Sequence, residues 1–63
     1  LDPSIAYAYL GRGLSFVVLN SPRSALGDLK KAAYLFQEEG EQEAVDMINS
    51  LITMIELTYS INS

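Results

Sequence analysis

The chain has 63 residues, of which 49% are hydrophobic, and its four basic and eight acidic side chains give a formal net charge of −4. It has no cysteine and no histidine, which excludes disulfides, zinc–cysteine clusters and histidine-based catalysis. The acidic balance disfavours nucleic acids and anionic membranes as partners, because both are bound through clustered Lys and Arg. So short and apolar a chain rarely builds a self-sufficient core. We therefore expect the apolar surface of the chain to be covered by further repeats, by a partner protein or by a second copy of the chain.

The first predicted helix runs from Pro3 to about Leu19. Asp2 is a suitable N-cap, and Pro3 suits the first turn because its missing N–H would have no helical partner there. Apolar side chains surround the axis of this helix, and Arg12 is its only charge. Because a helix that is apolar all round is normally covered on most sides, we expect part of its surface to need a partner.

The sequence Asn20-Ser21-Pro22 predicts a break between helices, with Ser21 as the N-cap of the second helix and Pro22 in its first turn. This helix should continue to about Glu39, where Gly40 supplies a left-handed C-terminal cap. Its apolar residues follow the i, i+3, i+4 spacing of an amphipathic helix; they are Ala25, Leu26, Leu29, Ala32, Ala33 and Phe36.

A third helix is predicted to follow Gly40 and to end near Ser60. One apolar stripe has the 3-4-3-4 spacing of a packing seam and consists of Val45, Ile48, Ile52, Ile55 and Tyr59. A second stripe beside it consists of Ala44, Met47, Leu51 and Met54. Core packing is the preferred role of the two methionines, and partner contact is the alternative. No segment alternates with the period of a strand, so the predicted fold class is all-α.

Six residues of the first two helices form a pattern in which aromatic, small and large apolar side chains stand at fixed distances along the sequence. They are Tyr9, Gly13, Phe16, Ala25, Leu29 and Ala32. In this spacing the chain resembles a tetratricopeptide repeat, a helix–turn–helix unit of about 34 residues. Pro3 stands where the closing proline of a preceding repeat would fall. Arg12 and Gln37 depart from the family pattern, which has Leu and Pro at these places.

The resemblance implies a fragment of a right-handed α-solenoid. Residues 1–39 would form one antiparallel helical hairpin, with residues 1–3 as the remnant of an upstream repeat, and residues 40–63 would form a C-terminal capping helix. The resemblance also implies a peptide-binding groove lined by the first helix through Tyr7, Leu10, Leu14 and Val17. Burial of these four side chains against a neighbouring repeat is an equally good interpretation.

Two functional hypotheses follow. The preferred one is a non-catalytic scaffold, a terminal piece of a repeat array that binds a protein or peptide through an apolar surface. The alternative is a homodimer that self-associates through helix one, or through helix three at Met47, Leu51 and Met54. We expect no enzyme activity and no cofactor or metal, because the sequence has no phosphate-binding loop and no plausible set of ligands. The acidic residues near Gly40 are interpreted as a solvated helix junction that complements the dipole of helix three.

Overall fold

The computed structural model describes residues 3–62, and the side chains of residues 3–60. Within this range the chain forms three α-helices and no strand: α1 (Ser4–Val18), α2 (Pro22–Glu38) and α3 (Gln42–Asn62). The predicted all-α fold class is therefore confirmed, and the helices lie within about two residues of their predicted bounds. Asp2, the predicted N-cap of α1, lies outside the described residues. Pro3 precedes α1, and its carbonyl accepts a hydrogen bond from the Tyr7 N–H at 3.1 Å.

The three helices lie side by side with α2 in the middle. Tyr7 meets Phe36 and Gly13 faces Leu29, so α1 and α2 are antiparallel. A turn of three residues then returns the chain along α2 as α3. The helix α2 packs against both neighbours, whereas no described Cα atom of α1 lies within 8 Å of one in α3. The two outer helices therefore depend on α2 for their relative position.

The core is centred on the predicted apolar face of α2. Most members of the cluster come from α2 and α3, with one small residue from α1: Ala6, Leu29, Ala32, Ala33, Phe36, Val45, Ile48 and Ile52. The α3 members belong to the first of its two predicted stripes. The 3.6-residue periodicity therefore identified the packed faces of α2 and α3.

The same backbone motif ends α1 and α2. Gly40 has a φ of 75°, as predicted for a left-handed cap. The Gly40 N–H donates to the Gln37 carbonyl at 3.1 Å, and the Glu41 N–H donates to the Phe36 carbonyl at 2.9 Å. This pair of bonds is a Schellman motif, which satisfies carbonyls that the helix end leaves without a partner.

The first turn repeats this motif with Asn20 in place of glycine. Asn20 has a φ of 58°, and its N–H donates to the Val17 carbonyl at 3.0 Å. The Ser21 N–H completes the motif by donating to the Phe16 carbonyl at 2.8 Å. Ser21 occupies the predicted N-cap position of α2, but its hydroxyl makes no capping hydrogen bond. The sequence predicted this break, but not the left-handed conformation of Asn20.

Much of the apolar surface of helix α1 is uncovered, in line with its composition. Ala6 and Gly13 are its buried residues, whereas large apolar residues such as Ile5 and Tyr7 are exposed and Val18 is 85% exposed. The reason is geometric, because α2 alone packs against α1 and covers one side of it. The need of α1 for a further partner surface remains a prediction.

Candidate functional site

An apolar cleft of about 520 Å³ lies between α1 and α3 above the middle helix. It exists because both outer helices pack on α2 while no described Cα atom of α1 lies within 8 Å of one in α3. Leu29 of α2 lines it together with side chains of the two outer helices and of the first turn, namely Leu14, Val17, Asn20, Ser21, Pro22, Leu51, Met54, Ile55, Thr58 and Tyr59. The apolar walls can hold an apolar side chain or helix face, but they offer no charged group for catalysis.

The structure divides the four residues of the implied groove between different environments. Leu14 and Val17 line the cleft and are 42% and 43% exposed. Leu10 is half-buried and packs against the core. Tyr7 is 60% exposed. Its ring meets that of Phe36 edge to face, with the centroids 5.0 Å apart, and it is not among the residues that line the cleft.

The residues assigned to self-association lie partly in the same cleft. Leu51 and Met54 form its α3 wall, opposite Leu14 and Val17 of α1. Two sets of residues that the sequence analysis had placed on separate surfaces therefore share one site.

The preferred core role of Met47 and Met54 was wrong, since they are 53% and 60% exposed. The side of α3 that carries Val45, Ile48 and Ile52 is the side buried against the rest of the core. The methionines lie on the neighbouring stripe, of which Ala44 and Leu51 pack partly against the core while both methionines stay exposed. They are therefore available for contact with another molecule.

The residues of the repeat-like spacing lie in and around the α1–α2 contact. Ala25 and Ala32 are fully buried, and Tyr9 and Phe16 are half-buried. At Gly13 the helices approach so closely that a Cβ atom would lie 2.9 Å from Cδ2 and 3.0 Å from Cγ of Leu29. Only glycine fits this position without a shift of the buried Leu29 side chain.

An ion pair that the sequence did not predict joins α1 to α2. Arg12 donates from Nε to one carboxylate oxygen of Asp28 at 2.6 Å and from a terminal nitrogen to the other at 3.0 Å. Asp28 is buried, and the Arg12 guanidinium also lies 5.6 Å from the centre of the Tyr9 ring. Arg12, the only charge on an otherwise apolar helix, was the available signal, because a charge at a helix contact needs a partner.

This ion pair should make stability depend on pH in the acid range. The hydrogen bonds from Arg12, opposed by burial of the carboxylate, hold the pKa of Asp28 below its ordinary value of about 3.9. The pair therefore stabilises the folded state above pH ~4, and this contribution is lost as the pH falls through the lowered pKa.

In thermal unfolding followed by circular dichroism, Asp28→Asn should lower the melting temperature at pH 7. Below pH ~4 the melting temperature of this variant should decrease less steeply with falling pH than that of the original chain. Glu38→Gln, the same charge change at an exposed position, is the control. An unchanged acid-side slope in Asp28→Asn would contradict the assignment.

The acidic residues around the second turn are mostly solvated. Glu38, Glu41, Glu43 and Asp46 are exposed, and Glu39 is half-buried. Within the described residues no group of three or more His, Cys, Asp or Glu side chains is placed to hold a metal ion. Nor does this part of the chain contain a helix with the length and apolar character needed to cross a membrane.

Comparisons with protein-family models, with curated proteins and with solved structures find no match to this chain.

Proposed function

We propose that the chain is a non-catalytic protein-interaction module, a terminal piece of a tetratricopeptide-like array, whose α1–α3 cleft binds a helix of a partner protein. The observation that carries this proposal is the apolar cleft of about 520 Å³, together with the exposure of its lining residues Leu14, Val17 and Met54. Burial of such surface contributes ~25 cal/mol per Å², less the cost of ordering the complex.

The shape and chemistry of the cleft favour a helix over a small molecule. Its walls are two helices that both run antiparallel to α2 and therefore parallel to each other. A helix of another molecule can lie along such a cleft with its apolar face inward. Small-molecule sites usually add a few convergent polar groups that fix the orientation of the ligand. The polar residues of this cleft, Asn20, Ser21 and Thr58, instead belong to one end of it. Met54 adds an adaptable contact for an apolar face of variable shape.

The helix packing supports the repeat-like part of the proposal. An antiparallel pair that closes over Gly13, with Ala25 and Ala32 of α2 fully buried, is what the resemblance implies. The third helix returns after a short turn and packs on α2, as the next helix of a right-handed solenoid would. The exposed apolar surface of α1 is consistent with an array that continues on that side.

A synthetic amphipathic helix tests the proposed site. The protein, labelled with a fluorophore and held at nanomolar concentration, is titrated with an uncharged peptide that carries leucines at 3-4 spacing. We expect the original chain to bind the peptide saturably. The double variant Leu14→Gln, Met54→Gln should bind it at least tenfold more weakly, or by ~1.4 kcal/mol, because both changes remove apolar surface from the cleft walls without changing the net charge. Both residues are well exposed, so the fold should persist, which circular dichroism verifies.

The control for this titration is Tyr34→Gln, which changes an exposed aromatic residue of α2 outside the cleft. It should leave the affinity unchanged. Equal affinity of all three proteins would show that the peptide binds elsewhere, and failure of the original chain to bind would refute the cleft as a helix-binding site.

A further inference from the structure

We propose that the helix bound by the cleft is α3 of a second copy of this chain, so that the protein forms a twofold homodimer with α3 packed against α3. The inference rests on the proposed function, because it names the partner of the same cleft. Three features of the described residues carry it: the spacing of an exposed seam on α3, the absence of facing charges along that seam, and the amount of apolar surface exposed.

The exposed seam of α3, defined by Met47, Leu51, Met54 and Thr58, has the 4-3-4 spacing of a helix-pairing face. Leu51 is its half-buried member and packs partly against the core. The seam is distinct from the Val45–Ile48–Ile52 side, which is buried in the core. Met47 and Met54 are more than half exposed, so a second helix can reach the seam. Thus α3 is both a wall of the cleft and, through this uncovered seam, a helix face of the kind that the cleft can bind.

The charges on α3 permit two copies of the seam to meet. Between residues 47 and 58 the only charged side chain is Glu56. It turns toward α2, where its carboxylate lies 3.6 Å from the Lys30 amine. Two copies of this stretch in antiparallel contact therefore bring no like charges together, although the chain has a net charge of −4. An acidic foreign helix would gain no ion pair from this stretch, and a basic one would have to compete with Lys30 for Glu56.

The exposed apolar surface supplies a large part of what a dimer requires. The chain has an accessible surface of 4360 Å², whereas a compact monomer of 6.9 kDa should have about 4,000 Å². Five large apolar side chains with substantial exposure line the cleft or lie on the seam: Leu14, Val17, Met47, Met54 and Tyr59. At roughly 100 Å² each, they supply more than half of the ~800 Å² that one partner contributes to a stable interface.

Twofold symmetry lets both copies be satisfied together. Leu51 and Met54 belong both to the cleft and to the seam. When α3 of one copy enters the cleft of the second copy, α3 of the second copy therefore fills the cleft of the first. Such an interface is self-complementary and closed, which prevents further growth of the assembly. The result is a bundle in which two α1 and two α3 helices pack around the paired seams.

The solution mass is the first test of the dimer. Light scattering across a dilution series should give twice the 6.9 kDa mass of the chain at high concentration, with helicity falling on dilution as the dimer dissociates. Met47→Lys with Met54→Lys should give a folded monomer, because like charges would face each other across the seam. Tyr34→Lys, which adds one charge at an exposed position of α2, should remain a dimer.

Cysteine cross-linking keeps the proposal testable if the double-lysine variant unfolds. The chain has no cysteine, so Met54→Cys should give disulfide-linked dimers on mild oxidation, whereas Tyr34→Cys should not. A monomer at every concentration that still binds the amphipathic peptide would overturn the second copy as partner and leave the proposed function standing. A monomer that binds no peptide would refute both. A dimer that survives the lysine changes and fails to cross-link at Met54 would place the interface elsewhere.

Discussion

Phe36→Ala should destabilise the fold by about 3–5 kcal/mol, the largest effect expected of any single change proposed for this chain. Phe36 is 1% exposed and is the largest fully buried side chain of the described residues. It lies in the core formed by all three helices and also contacts the ring of Tyr7. At ~0.05–0.15 kcal/mol per residue, a chain of this length has about 3–9 kcal/mol in total, so the variant should lose at least about a third of its stability and should unfold outright if the total is near the lower end.

Urea denaturation followed by circular dichroism at one fixed protein concentration measures this loss. Phe36→Leu keeps most of the buried volume and should cost less than about 2 kcal/mol. Tyr34→Ala removes an aromatic ring from the exposed side of α2 and should cost less than ~1 kcal/mol. If Phe36→Ala and Tyr34→Ala were equally stable, Phe36 would not be the centre of the core.

Gly13→Ala and Gly11→Ala, two residues apart on α1, should change stability in opposite directions. At Gly13 the added Cβ would press on the fully buried Leu29 side chain at 2.9 Å. We expect a loss of ~1–3 kcal/mol from overpacking. At Gly11 no other atom lies within 4 Å of the added carbon. There the alanine should stabilise the helix by up to ~1 kcal/mol, because glycine is the poorer helix former.

The same urea measurement on the two glycine variants separates packing from helix propensity, because both changes add one methyl group to the same helix. A stabilising Gly13→Ala would mean that α1 and α2 do not meet at this position. The antiparallel hairpin and the register of the repeat-like spacing would then both be in doubt. Gly13→Leu should be at least as damaging as Gly13→Ala, since the larger side chain has no space to enter.

The sequence predicted the elements of the fold well because their signals are local. Pro22 and Gly40 marked helix ends, and amphipathic spacing identified the buried face of α2. Asn20 was read only as a break, since asparagine takes the left-handed conformation far less regularly than glycine. The number of helices and their packed faces therefore followed from the chain, while the conformation of the first turn required the structure.

The missed features depend on how the helices cross, which local patterns do not encode. Arg12 and Asp28 are 16 residues apart in sequence, and their pairing requires the α1–α2 register. The apolar stripe that contains Met54 resembled a second core face, but only its Ala44 and Leu51 pack partly against the core. The cleft, which joins Leu14 of α1 to Leu51 of α3, likewise exists because no described Cα atom of one outer helix lies within 8 Å of the other. Each of these findings concerns residues that are brought together, or left uncovered, by packing alone.

The most direct test of the central claim, that the α1–α3 cleft is the interaction surface, is a map of amide chemical shifts. Spectra of the ¹⁵N-labelled chain are compared with and without the amphipathic peptide, at a concentration where the free chain is monomeric. The proposal predicts that the largest shifts cluster at Leu14, Val17, Leu51 and Met54, while Tyr34 on the outer face of α2 stays unchanged. Shifts centred on α2, or no shifts at peptide saturation, would contradict it.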